Sequence, residues 1–162
     1  MFVSLNEFQQ EWKREALLTG KILNTLTDES LDQSIALDHF SLGELGWHLS
    51  QAIYGLFSAA GLKFEGPERG AGVPESAKEI ADVYEQTSSN LLQAAGEQWT
   101  DESLKQSITV FGQETTIHGI MRFVIQHQAH HRGQMTVLMR QAGLVVPGVY
   151  GPSKEEREQI GK

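Results

Sequence analysis

Cysteine is absent from this sequence of 162 residues. A chain without cysteine has no disulfide framework, no thiolate metal site and no cysteine nucleophile of its own. The absence is consistent with a reducing compartment, and we expect the protein to be cytoplasmic. Any thiol chemistry would therefore need a thiol from outside the chain.

Basic residues and long apolar runs are also scarce. The 13 lysines and arginines stand against 21 aspartates and glutamates, which gives a formal charge of −8. This balance argues against binding to a phosphate backbone, so we predict no nucleic-acid partner. The longest uncharged stretch, residues 45–62, contains His48 and other polar residues and is too polar to span a membrane. Residues 1–12 lack the basic start and apolar core of a signal peptide.

The remaining composition is typical of a globular helical protein. Hydrophobic residues make up 40% of the chain and charged residues 21%, and the length indicates one domain over residues 1–162. Four segments carry apolar residues at helical spacing. They run from Ser4 to about Thr27, from Ser41 to Gly61, from Pro74 or Ser76 to about Gly96, and from Ile117 to Ala142.

Smaller elements are predicted around the fourth helix. Alternating, β-branched residues on both sides of Phe111-Gly112 predict a short hairpin before it. Ser153 and Glu156 repeat the capping pattern of a helix start, which predicts a short final helix. Four amphipathic helices in one domain predict an all-α fold, a four-helix bundle. The connections are long, so consecutive helices need not be neighbours.

Two of the six histidines fall in the apolar stripe of the fourth helix. At about 100° per residue, His131 lies about 40° from His127, on the same face as Phe123 and Leu138. Histidines four residues apart on a helix have Cβ atoms about 5–6 Å apart and can converge on one metal through bonds of about 2.0–2.1 Å. The pair therefore predicts two metal ligands. His130 could replace His131 as the partner of His127, or support a ligand.

A third ligand must come from elsewhere, and His48 on the second helix is the best candidate. Gln128 occupies the position of the glutamate in the HExxH motif, which argues against a metalloprotease. The fourth helix carries no carboxylate, which argues against a di-iron site. His39 and His118 are predicted to lie at the surface.

Two further polar residues follow the histidines. Gln134 lies about 20° from His127 on the ligand face, where it could orient a ligand or a bound water, or be a buried amide bonded to backbone. Arg132 points about 140° away from His127 and is predicted to form a structural ion pair, with a dimer face as one location.

The fourth helix resembles that of a known family. The segment His127 to Gln134, HQAHHRGQ, is similar to the signature helix of the DinB-like (YfiT-like) metalloprotein superfamily. This is a damage-inducible family of small helical proteins, distinct from the DNA polymerase of the same name. Trp47-His48-Leu49 matches the family's earlier histidine, and the tail with Pro147 and Tyr150 is also similar.

The resemblance implies an up-and-down four-helix bundle and a divalent metal, often nickel or zinc, bound by His48, His127 and His131. Members are commonly homodimers. Those of known activity include S-transferases that use bacillithiol and an isomerase that uses mycothiol, and others are described as metal-dependent hydrolases. We therefore expect a metal-dependent enzyme that acts on a small molecule, either a thiol-dependent S-transferase with a low-molecular-weight thiol as cofactor or a hydrolase. A non-catalytic, metal-binding homodimeric stress protein is the alternative.

Overall fold

The computed structural model of the protein describes residues 2–160, and within this range the fold is mostly helical. The described elements are α1 (Leu5–Leu23), α2 (Leu42–Ala59), α3 (Ala77–Gln98), β1 (Ser107–Val110), β2 (Gln113–Thr116), α4 (Ile117–Gln141) and α5 (Lys154–Ile160). This confirms the predicted all-α class and the hairpin before the last long helix. No helix among these residues has both the length and the hydropathy that spanning a bilayer would require.

Each long helix begins directly after a residue with a hydroxyl side chain, as predicted for Ser4 and Ser41. Ser4, Ser41, Ser76 and Thr116 each accept a hydrogen bond from the backbone N–H three residues on. At the start of α2, the Glu44 carboxylate also accepts from the Ser41 N–H and completes a capping box. These bonds satisfy donors that the first helical turn leaves without partners.

The ends of the helices differ more from their predicted positions than the starts do. α1 ends at Leu23, four residues before the predicted end, because the Asn24 and Thr25 side chains donate to the carbonyls of the last turn at 2.9 and 2.8 Å. α3 continues two residues past its predicted end at Gly96. Glycines with positive φ follow α2 and α4, as expected for C-terminal stops.

The hairpin is closed by the predicted Phe111-Gly112 turn. Both residues have positive φ, at 50° and 79°, which is the conformation of a two-residue type I′ turn. Val110 and Gln113 are directly paired on either side. The second strand leads into α4 and, with the turn Ser103–Lys105, packs against it.

α1 runs antiparallel to α3. Trp12 Nε1 donates to Ser88 Oγ at 2.8 Å, and Gln9 Nε2 donates to the Leu92 carbonyl at 3.4 Å. Residue numbers therefore rise along α1 as they fall along α3. Phe8, Trp12 and Phe57 are fully buried and pack as an aromatic cluster, with ring centroids 5.8–6.0 Å apart.

α2 runs parallel to α3. Gly46 lies against Ile80 near the start of both helices, and the Phe57 ring lies 5.9 Å from that of Trp99 near their ends. Because the two helices point the same way, residues 60–76 must return along the length of the bundle. This explains why the connection is long.

α4 completes the bundle and runs parallel to α1. Arg122 lies 3.8 Å from Glu11, and further along both helices Arg132 pairs with Glu15. α1 and α2 each pack against both α3 and α4, so they lie diagonally opposite one another. The helix directions in chain order are up, down, down and up. The predicted four-helix bundle is therefore present, but its helices do not alternate strictly up and down, because residues 60–76 lead the chain back before α3 begins.

Candidate metal centre

Three predicted histidines meet between α2 and α4. His48 is on α2, and His127 and His131 lie one turn apart on α4. The Nε2 atom of His127 is 3.3 Å from Nε2 of His48 and 3.1 Å from Nε2 of His131. One ring nitrogen from each histidine lies within 4.8 Å of the other two, so the group could hold a metal ion.

The spacing of these nitrogens fits one small cation. Bonds of about 2.0–2.1 Å at a tetrahedral angle place two ligating nitrogens about 3.3 Å apart. Two of the three separations here are 3.1 and 3.3 Å. The nitrogens are therefore close to the distances that a shared ion would require.

Gln134 fixes which nitrogen of the neutral His131 ring carries the hydrogen. Its Oε1 lies 2.7 Å from His131 Nδ1, and an amide oxygen can only accept a hydrogen bond. Nδ1 therefore carries the hydrogen, and Nε2 presents its lone pair to the other two rings. Gln134 is exposed and bonds a side chain, so the alternative of a buried amide bonded to backbone is wrong.

The three rings favour the neutral form. Burial, together with the nearby His131, His48 and His130 rings, lowers the pKa of His127 to about 4. Burial and the neighbouring His131 also lower the pKa of His48. Burial lowers the pKa of His131, with the Gln134 hydrogen bond opposing it. Neutral imidazole is the form that binds a metal, so at neutral pH few protons have to leave.

Two exposed aromatic rings flank the histidines. The Phe40 ring is parallel to that of His48 within 9°, with centroids 6.4 Å apart, and the Phe123 ring lies 5.6 Å from that of His127. Phe123, expected in the buried stripe, is 49% exposed. Sequence reasoning missed Phe40. An apolar residue just before the Ser41 cap was the available signal.

Gln128, which follows the first histidine of α4, joins all four long helices. It is fully buried, and its Nε2 donates to the Leu49 carbonyl on α2 at 3.2 Å. Its Oε1 accepts from Tyr84 on α3 at 3.1 Å and from Thr19 on α1 at 3.4 Å. Leu49 is next to His48, so this amide holds the two ligand-bearing helices together beside the histidines.

Arg132, which follows the second histidine, forms the predicted ion pair. Its guanidinium binds the Glu15 carboxylate and the Tyr150 hydroxyl, and Nη1 donates to Thr19 Oγ1 at 2.8 Å. Tyr150 also donates to Glu15 at 2.7 Å. Arg132 is only 1% exposed, so the pair is inside the chain and the suggested dimer-face location is wrong.

The other histidines lie outside the group of three. His118 was expected at the surface but is buried, because the hairpin and the turn before it pack against the start of α4. Its Nε2 has no hydrogen-bond partner among the described residues. His39 is exposed, as predicted, and its Nδ1 contacts the Leu37 carbonyl at 3.0 Å. His130 is exposed, with its ring 4.9 Å from that of His131.

Comparisons with known proteins support the family resemblance that the sequence of the fourth helix indicates. The chain is 49% identical over 161 residues to the uncharacterized protein YrdA of Bacillus subtilis (strain 168), covering 99% of this chain and 96% of YrdA. A crystal structure of a DinB-like protein from Bacillus cereus ATCC 10987 matches with a TM-score of 0.89 and 47% identity, over 93% of this chain and 100% of that one.

A more distant structure shares the fold alone. The DinB-like protein YjoA from Bacillus subtilis matches with a TM-score of 0.68 and 19% identity, over 90% of this chain and 98% of that one. The model of the DinB family itself matches residues 1–162. The chain therefore belongs to the DinB family.

Proposed function

We propose that this protein is a metal-dependent enzyme that acts on a small molecule at a divalent ion bound by His48, His127 and His131. The convergence of three ring nitrogens, two of their separations being 3.1 and 3.3 Å, carries this proposal. Three protein ligands leave coordination positions for water or substrate, as in catalytic rather than structural sites.

The chemistry follows from an open metal position in a chain without cysteine. A bound divalent ion would lower the pKa of a water or thiol ligand and so supply a nucleophile at neutral pH. The thiol must come from a small molecule, because the chain has no cysteine. Gln134 holds His131 in the ligating tautomer, and Phe40 and Phe123 cover parts of the His48 and His127 rings. We propose a thiol-dependent S-transferase of the bacillithiol type, or a hydrolase.

The proposal also covers the identity of the metal, the oligomeric state and the cellular location. Nickel and zinc both accept imidazole ligands, and family resemblance favours these two. The same resemblance supports a homodimer with a role in the stress response, and the absence of cysteine supports a location in the cytoplasm.

A non-catalytic metal-binding protein is the second candidate. The observation that favours it is the lack of carboxylates on the helix that carries two of the histidines: no aspartate or glutamate occurs from Thr115 through Ser153. A general base for hydrolysis would therefore have to come from another segment or from the metal-bound group itself.

Metal analysis of matched variants tests the proposal. We expect about one divalent ion per chain in the wild type and none retained by His127→Ala, since one of three ligands is lost. His130→Ala is the control, because His130 is exposed on the same helix and outside the group of three. Equal metal content in both variants would overturn the assignment.

Activity assays then separate the two candidates. The nickel- and zinc-loaded proteins would be screened with low-molecular-weight thiols and electrophilic substrates, and with hydrolysable esters and amides. We expect turnover that His127→Ala loses and His130→Ala keeps. Metal binding without turnover in either screen would favour the non-catalytic candidate.

A further inference from the structure

A small cavity lies beside the three histidines. The segment 24–41 between α1 and α2 encloses about 300 Å³ against α2 and α4. Its apolar wall is made by Ile35, Phe40, Leu45, Val137 and Leu138. Its polar lining residues are His39 and Gln134, and none of the described residues around it is an aspartate, glutamate, lysine or arginine.

The cavity adjoins the candidate metal centre through two of its lining residues. Phe40, which lines it, stacks on His48, and Gln134, which also lines it, accepts from His131. Leu138 is seven residues beyond His131 on α4, which corresponds to about 10 Å along the helix. A molecule that binds the metal could therefore place a group of a few carbons in this cavity.

A larger cleft elsewhere does not serve the same centre. The cleft between α1 and α4 has a volume of about 810 Å³, but none of the described residues that line it stacks on or hydrogen-bonds to one of the three histidines, whereas Phe40 and Gln134 of the smaller cavity do. Its wall is charged, with Glu7, Glu11, Arg14 and Arg122 among its residues. Position and polarity both favour the smaller cavity as the one that works with the histidines.

The apolar wall has surface left for a ligand to cover. Ile35 is 54% exposed, Phe40 63% and Val137 49%. Clustered exposed apolar side chains next to a polar centre are typical of a ligand site, and covering them removes apolar surface from water. A charged group in this cavity would lose hydration without meeting an opposite charge.

We propose that this cavity binds the apolar part of the substrate. The inference rests on the proposed metal-dependent function and adds the substrate class: a small molecule with an uncharged hydrocarbon or aromatic group next to the atoms that reach the metal. If the enzyme is an S-transferase, the cavity holds the apolar electrophile rather than the polar thiol. His39 donates from Nδ1 to the Leu37 carbonyl, which leaves Nε2 as an acceptor for a substrate N–H or O–H group.

A series of alkyl hydroxamates tests the cavity with one metal-binding group and chains of increasing length. Binding to the zinc-loaded protein would be measured by calorimetry from acetohydroxamate to hexanohydroxamate. We expect affinity to rise about fourfold for each methylene that the cavity buries. Val137→Ser should weaken hexanohydroxamate binding by about fivefold or more and leave acetohydroxamate binding nearly unchanged, because it removes two methyl groups from the wall.

Two further variants complete the experiment. Val145→Ser is the matched control, since Val145 is 65% exposed and does not line the cavity. Ile35→Ser changes the part of the wall that segment 24–41 provides, and it replaces Val137→Ser in the experiment if that variant does not fold. Acetohydroxamate binding without any gain from chain length, or equal effects of Val137→Ser and Val145→Ser, would overturn the inference and leave the proposed function standing. A protein that binds neither zinc nor acetohydroxamate would overturn both.

Discussion

Each of the two candidate ligand histidines on α4 is followed by a buried polar residue. Gln128 follows His127 and Arg132 follows His131, and one step along a helix turns the side chain by about 100°. Gln128 reaches three other helices, and Arg132 reaches Glu15 on α1. These bonds fix the rotation of α4 about its axis, so they keep both histidines turned toward α2 although neither Gln128 nor Arg132 belongs to the group of three.

The low pKa of His127 gives the metal-free protein a defined pH dependence. An unfolded histidine has a pKa of about 6.5, whereas the folded value for His127 is about 4. Between these values the unfolded chain binds more protons, so the free energy of unfolding rises with pH. This contribution is fully present above about 6.5 and is lost as the pH falls toward 4.

Urea unfolding of the metal-free protein between pH 4.5 and 7.5 would measure this effect. We expect the loss of stability on acidification to be smaller in His127→Gln, which has no ring to protonate. His39→Gln is the control, because His39 is exposed and is not among the groups that lower the pKa of His127, and should behave like the wild type. Identical pH profiles for wild type and His127→Gln would contradict the low pKa.

Residues close in sequence were easier to predict than residues brought together by the fold. His127 and His131 share a face of one helix, so their pairing follows from helical spacing. Glu15 and Tyr150 come from opposite ends of the chain, and no local pattern places them on Arg132. A charged residue in the apolar stripe of α1 was a signal for Glu15 alone.

The helices themselves show which local signals are strong. Helix starts were predicted well, because a hydroxyl cap and its N–H partner are only three residues apart. The end of α1 was not, because Asn24 and Thr25 form side-chain bonds that compete with further helix. The parallel direction of α2 and α3 depends on contacts such as Gly46 with Ile80, which no local pattern specifies.

Two glycines of α2 form a matched test of helix packing. A Cβ at Gly46 would lie 3.1 Å from both Ile80 Cγ2 and Leu23 Cδ2, which are buried, whereas a Cβ at Gly55 would meet nothing within 4 Å. We expect Gly46→Ala to lower the free energy of unfolding by about 1–3 kcal/mol through overpacking. Gly55→Ala should raise it by up to about 1 kcal/mol, because alanine favours the helix.

Chemical denaturation of the two variants would measure both changes. The comparison is well controlled, since both substitutions add one methyl group to the same helix. A stabilised Gly46→Ala would mean that α2 does not pack as closely on α1 and α3 as the structure has it.

Charge acts at the scale of the whole molecule. The net charge is −8, and the arginines of α4 are matched by carboxylates: Arg122 lies 3.8 Å from Glu11, and Arg140 binds Glu155. Arg132 is buried and paired. These arginines therefore do not form a free basic surface for phosphate groups, despite the damage-related name of the family.

We expect no saturable binding of duplex DNA. Fluorescence anisotropy at near-physiological salt would measure it, with a basic DNA-binding protein as the positive control. Sequence-dependent binding tighter than about 1 μM, beyond the usual non-specific range, would contradict this expectation.

The bonds around Gln128 and Arg132 also bear on how the protein would acquire an ion. They join the helices without any contribution from a metal, so the bundle can fold first and be metallated afterwards. Three imidazoles accept several first-row ions, and affinity alone selects poorly among them. The ion that a cell loads would then follow its supply: the same chain, made in nickel-rich or zinc-rich medium, should emerge with a different metal.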